Sequence, residues 1–100
     1  LLESRGLGDV YKRQDLSILI DEQVNLSDII NATKNVKTNL LQNISLFDIY
    51  RDKKQFIDKK AYGLRFQFLH PKRTLTDKEV DKVMLQIQYS ILKETNGQLR

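Results

Sequence analysis

Along residues 62–68, large apolar side chains alternate with glycine and polar ones without a fault. Tyr62, Leu64, Phe66 and Phe68 share one parity, and Gly63, Arg65 and Gln67 share the other. Successive side chains of a strand leave opposite faces. The period therefore predicts a strand with its aromatic set in a core and Arg65 and Gln67 on the far side. Residues 15–21 repeat the pattern, with Leu16, Ile18 and Ile20 opposite Ser17 and Leu19. Their β-branched isoleucines favour an extended chain. Residues 40–50 predict another strand.

The period turns helical twice. Ile29, Ile30, Thr33 and Val36 form an apolar stripe over residues 28–36, with Ser27 as the cap and Asp28 in the first turn. After the break expected at His70-Pro71-Lys72-Arg73, Thr76 to Glu79 reads as a capping box. Val80, Val83, Met84, Ile87 and Ile91 then line one helical face, with Lys78, Asp81, Lys82, Gln86 and Lys93 solvated. Asn96-Gly97 is the expected stop, and residues 98–100 leave room for one short closing strand. This order predicts an α+β, ferredoxin-like βαββαβ sandwich. Two helices cover one face of a four-stranded antiparallel sheet, and the other face stays open. Such a topology hosts many activities and assigns none.

The strand over 40–50 holds two apolar sets of opposite parity. Ile44 and Leu46 fall with Asp48 and Tyr50, whereas Phe47 and Ile49 fall with Ser45. If Phe47 and Ile49 enter the core, Asp48 and Tyr50 project together from the open face. There a carboxylate accepts hydrogen bonds from a base edge, and a tyrosine ring stacks on the base. Alternation alone also describes the edge of a small core with a solvated acid and a half-buried tyrosine.

A chain of 100 residues suits a single domain. No apolar run is long enough to span a bilayer. No cysteine is present, which removes disulfides and thiolate metal sites, and the single His70 cannot make a metal cluster. The net charge of +4 fits a polyanionic partner without requiring one. Arg51, Lys53, Lys54, Lys59 and Lys60 crowd one connection, diluted by Asp52 and Asp58. Residues 1–14 hold Gly6 and Gly8, show no clear period and resemble translated adapter sequence. They are expected to be a disordered or non-native extension, with the domain over 15–100.

The run SLFDIYR, the basic connection, AYGLRFQF, HPKRTLTDKEV and the closing QLR together resemble the ferredoxin-fold anticodon-binding domain. That domain closes the beta subunit of bacterial phenylalanyl-tRNA synthetase. The resemblance covers about residues 15–100, with Gln14 where the family commonly has an Arg. It implies a binding module with no catalytic residue and no metal site. Asp48 and Tyr50 match the family's recognition strand. Arg65 and Gln67 share their face, and Arg100 can reach it. In the implied division of labour, Tyr50 stacks on a base and Asp48 accepts from a base donor. Arg65, Lys53 and Lys54 meet phosphates. The implied partners are the anticodon stem-loop of phenylalanine tRNA, the rest of the beta subunit and the catalytic alpha subunit, in a heterotetramer with two of each. No cofactor belongs to this domain; ATP and Mg2+ serve the full enzyme elsewhere. A cytoplasmic setting without membrane contact follows, and the lone domain is not expected to charge tRNA.

Rival readings make distinct demands. A stand-alone RNA binder of the RNA-recognition-motif kind, partly echoed by Lys60-Ala61-Tyr62-Gly63, needs Tyr62 and Leu64 to face outward. An acylphosphatase needs an anion cradle after the first strand, where Asp21 and Glu22 would repel a phosphate. A pure subunit-docking module would not bind anticodon loops.

Overall fold

The computed structural model describes residues 12–70 and 74–100. The elements are β1 (Lys12–Asp21), α1 (Leu26–Lys34), β2 (Leu41–Tyr50), β3 (Lys59–Phe68), α2 (Asp77–Thr95) and β4 (Gln98–Leu99). The sheet runs β2-β3-β1-β4 and every pairing is antiparallel. Ile18, Ile20, Leu64, Phe66 and Phe68 on one sheet face pack with Ile29 and Ala32 of α1 and Val80, Ile87 and Ile91 of α2. Both helices therefore cover that face, and the expected sandwich is present. Among the described residues, no helix is long and apolar enough to cross a membrane.

β1 begins at Lys12, earlier than the boundary expected after residue 14. Lys12, Arg13 and Gln14 pair with Phe68, Gln67 and Phe66, and Lys12 also bonds the Asp77 carboxylate at 3.0 Å. These three residues thus belong to the sheet. What was expected of residues 1–11, and of the break at Pro71 to Arg73, lies outside the described residues.

α1 starts one turn-fraction earlier than its apolar stripe suggested. Its cap is Asn25 rather than Ser27. The Asn25 side chain accepts from the Asp28 amide at 3.1 Å, and the Asp28 carboxylate accepts from the Asn25 amide at 3.0 Å. This reciprocal pair satisfies two donors that a helix start leaves open, while Ser27 only donates to the Asn25 oxygen. Val36 lies beyond the helix end and still packs on the core.

α2 follows the sequence reading closely. Thr76 accepts from the Glu79 amide at 3.2 Å, and Val80, Val83, Met84, Ile87 and Ile91 are buried. Its stop differs in one respect. Asn96, not Gly97, takes the left-handed conformation, with φ of 55°, which Asn tolerates better than most residues. Gly97 serves close approach instead: a Cβ there would lie 3.0 Å from Ile20 Cγ2 and 3.1 Å from the Leu19 carbonyl.

Candidate nucleic-acid interface

The open sheet face is organised in rows fixed by strand register. Tyr50, Ala61, Leu19 and Gln98 form one row. Asp48, Gly63 and Ser17 form the next, and Arg100 joins it by donating its amide to the Ser17 carbonyl at 3.0 Å. Ser45, Arg65 and Asp15 follow, then Asn43, Gln67 and Arg13. Ala61 and Ser17 are small and leave a shallow floor, with larger side chains around it.

β2 reaches this arrangement by slipping register. It shifts against β3 between Leu41 and Asn43 and again between Leu46 and Asp48. A bulge of this kind inserts one unpaired residue and reverses the parity beyond it. Before the second bulge, Ile44 and Leu46 stand opposite Phe66 and Leu64 and pack on the core. After it, Asp48 and Tyr50 stand opposite Gly63 and Ala61 on the open face. Both apolar sets of the strand could not enter the core in one register, and the bulge resolves that conflict.

The expected inward placement of Phe47 is thereby corrected. Phe47 sits at the bulge, 50% exposed, and its ring lies over Gly63 on the open side. A Cβ on residue 63 would meet Phe47 Cζ at 3.0 Å and Asp48 Cβ at 3.1 Å. Only glycine leaves that space without displacing the ring or the neighbouring strand. Ile49 returns to the core side opposite Tyr62 yet stays 45% exposed at the sheet edge.

Each expected recognition residue can now be located. The Asp48 carboxylate has no partner among the described residues. The Tyr50 hydroxyl donates to Asp52 at 3.3 Å, and the Tyr50 ring meets the edge of Phe56 with centroids 6.2 Å apart. Arg100 lies 4.5 Å above the Tyr50 ring and 5.9 Å from that of Phe56. Gln67 accepts from the Asn43 side chain at 3.2 Å. Arg65 is held by Asp15 through two bonds of 3.0 and 3.2 Å and stacks 4.7 Å over Phe47. That pair holds the Asp15 carboxyl below its ordinary pKa and raises that of Arg65, chiefly through the hydrogen bonds between them. Arg65 is therefore an engaged planar group rather than a bare cation.

The crowded basic connection divides in the same way. Arg51 bonds Glu22 at 2.6 and 2.9 Å, and this holds the Glu22 carboxyl below its usual range. Lys59 bonds Asp21 at 2.7 Å, and buried Lys60 donates to the Glu22 carbonyl at 2.9 Å. Asp21 and Glu22, not Asp52 and Asp58, supply most of the neutralisation. Lys53 and Lys54 keep exposed ammonium groups without an ion pair among the described residues.

Sequence reasoning missed Phe47, Phe56 and Asp15. The clash of apolar parities in β2 was the available signal for Phe47. The Asp15–Arg65 and Tyr50–Phe56 contacts had none, because one depends on the β1–β3 register and the other on the fold of the connection.

The profile of the ferredoxin-fold anticodon binding domain matches residues 9–100. The chain belongs to that family. Consistent with this membership, it is similar to phenylalanine--tRNA ligase beta subunits from several sources. It shares 30% identity over 100 residues with that of Porphyromonas gingivalis, covering 99% of this chain and 12% of the relative. With the Nitrobacter winogradskyi protein it shares 33% over 87 residues, covering 87% of this chain and 11% of the relative. A chloroplastic beta subunit from Porphyra purpurea shares 32% over 87 residues, 87% of this chain and 12% of that protein. The chain thus spans about one-eighth or less of the length of these relatives. Within this anticodon-binding family member, Tyr62 is 6% exposed and Leu64 is fully buried. The outward β3 aromatics of the RNA-recognition-motif alternative are therefore absent, and that reading is set aside.

Proposed function

We propose that this domain binds the anticodon stem-loop of phenylalanine tRNA as the closing domain of a phenylalanine--tRNA ligase beta subunit. In that setting it supports aminoacylation in the cytoplasm without taking part in the chemistry. The catalytic alpha subunit, in a heterotetramer of two alpha and two beta subunits, and the rest of the beta subunit supply the active site and use ATP and Mg2+. The observation that carries this reading is the joint projection of Asp48 and Tyr50 from the open face, with small Ala61 opposite Tyr50 and the Phe47 ring over Gly63. Tyr50 stacks on an unpaired anticodon base, an interaction worth about 1–3 kcal/mol. Asp48 accepts from a base donor, because an anion beside RNA is unfavourable without a specific hydrogen bond. Lys53 and Lys54 meet the backbone without selecting sequence. Arg65, Gln67 and Arg100 border the same floor. Arg65 is already neutralised by Asp15, which suits it to a base plane more than to a phosphate.

The test compares affinities for cognate tRNA and for a tRNA with an altered anticodon at several salt concentrations. Asp48→Ala is expected to lower the cognate-to-altered ratio. Lys53→Ala should weaken both alike and reduce the salt slope by about one. An unchanged ratio for Asp48→Ala would return Asp48 to the status of a solvated acid.

A further inference from the structure

Arg100 occupies the place where the proposed ligand should stack. Its backbone is tied to β1 through the Ser17 carbonyl at 3.0 Å, whereas Tyr50 lies on β2, at the opposite side of the sheet. The side chain spans that distance with the small residues Ser17 and Ala61 in the rows between, while the Phe47 ring occupies the place over Gly63. Its guanidinium ends 4.5 Å above the Tyr50 ring and 5.9 Å from Phe56. Phe56 closes the edge of the Tyr50 ring at 6.2 Å, and the Tyr50 hydroxyl is held by Asp52. The ring is thus held in place, and one of its faces is covered by a planar cation. Among the described residues Arg100 has no carboxylate partner. A cation on an exposed ring is held weakly, and stacking of a base on an aromatic ring is the stronger interaction.

We propose that Arg100 is a placeholder on the Tyr50 ring. A bound base displaces its guanidinium, which then transfers to the RNA backbone. The transfer to RNA rests on the anticodon-binding reading above; the occupied seat does not. The exchange makes one residue act twice. In the free domain it keeps an exposed aromatic ring covered, and in the complex it adds a phosphate contact that becomes available only once a base is seated. A domain whose competent form is only partly populated binds more weakly by that fraction. Removing the placeholder should therefore strengthen binding of a neutral purine nucleoside by about three- to sixfold.

The experiment uses the 100-residue chain, the neutral nucleoside inosine, and an RNA hairpin carrying the phenylalanine anticodon loop. Nuclear magnetic resonance follows the Arg100 δ-methylene. In the free domain its signal should be shifted upfield by the Tyr50 ring relative to the Tyr50→Leu variant. Saturating inosine or hairpin should move it to the Tyr50→Leu position. Arg100→Ala should bind inosine more tightly and should lower the salt slope for the hairpin by about one. A signal that stays upfield in both complexes, or an Arg100→Ala variant with unimproved inosine affinity, overturns the placeholder. An unchanged salt slope overturns the transfer to phosphate. If inosine releases Arg100 but the hairpin does not bind, the placeholder stands and the anticodon-binding reading falls.

Discussion

β2 and β3 are neighbours of equal length, ten residues each, and they do opposite work. β3 lies between β2 and β1, keeps one register throughout with β1, and places Leu64, Phe66 and Phe68 fully in the core. β2 is an edge strand, breaks register against β3 twice, and leaves Phe47, Ile49 and Tyr50 substantially exposed. An interior strand is paired on both sides, so a slip would unseat every core side chain at once. An edge strand has one partner and can absorb an extra residue, and the resulting twist also discourages pairing with another chain. The regular strand builds the scaffold. The irregular one spends its freedom on aiming Phe47, Asp48 and Tyr50 across the open face.

The largest effect that separates the two strands is on stability. Phe66→Ala should cost about 3–5 kcal/mol, as other buried Phe truncations do. Phe47→Ala should cost about 1 kcal/mol or less, because half the ring is already solvated and it contributes mainly the contact with Arg65. Urea unfolding followed by circular dichroism measures both. Equal costs would mean that Phe47 belongs to the core and that the bulge is misplaced.

The same contrast explains what could be read from the residues beforehand. Alternation placed the side chains of residues 62–68 correctly because β3 has no register break against β1, whereas Lys59 and Lys60, expected in the connection, are its first two residues. It placed Asp48 and Tyr50 correctly by a faulty route, since their outward facing depends on the bulge and not on an inward Phe47. The α2 stripe was legible because a helix period survives over about three turns of consistent apolar spacing, from Val80 to Ile91. The α1 start was not, since Asn25 and Ser27 are both good caps and only the Asp28 carboxylate, reaching back to the Asn25 amide, decides between them. Contacts set by long-range register, such as Asp15 with Arg65 and Glu22 with Arg51, leave no local trace in a sequence. Electrostatics of the open face was accordingly the least legible feature.

A second substitution attacks the joint between the strands. Gly63→Val places two branched methyls where a Cβ alone would already lie 3.0 Å from Phe47 Cζ and 3.1 Å from Asp48 Cβ. Overpacking of this kind typically costs about 1–3 kcal/mol. Phe47 is half-exposed and can swing aside, so the lower part of that range is expected. Asp48 has less freedom because its Cβ is fixed to the strand. RNA affinity should therefore fall proportionally more than stability, and selectivity for the anticodon should fall with it. A variant that unfolds more easily but keeps full affinity and selectivity would show that Asp48 and Phe47 are not aimed by their seat against Gly63.

The smallest expected effect concerns the two ion pairs that flank these strands. Asp15 steadies Arg65 over the bulge of β2, and Glu22 steadies Arg51 just past its end. Hydrogen bonds from the arginines lower both carboxyl pKa values in the folded chain. A folded-state pKa below the unfolded one means that the unfolded chain takes up protons first as the pH falls. The stability each pair adds is thus complete above the ordinary carboxylate range, and it is lost as the pH drops through the lowered folded values. Both pairs are solvated, so the contribution is small and salt weakens it. Melting temperatures of Asp15→Asn and Glu22→Gln should lie slightly below the unmodified chain at neutral pH and converge with it in acid. A gap that stays constant through the acid range would mean that neither carboxylate is paired in solution. Asp15→Asn carries a second signature. Arg65 loses its only carboxylate partner among the described residues, so its charge becomes available to RNA. Binding to cognate and altered anticodons should then rise together, with a steeper salt slope. Glu22→Gln frees Arg51 beside Lys53 and Lys54, so it should likewise raise binding to both anticodons alike, through the connection rather than the open face.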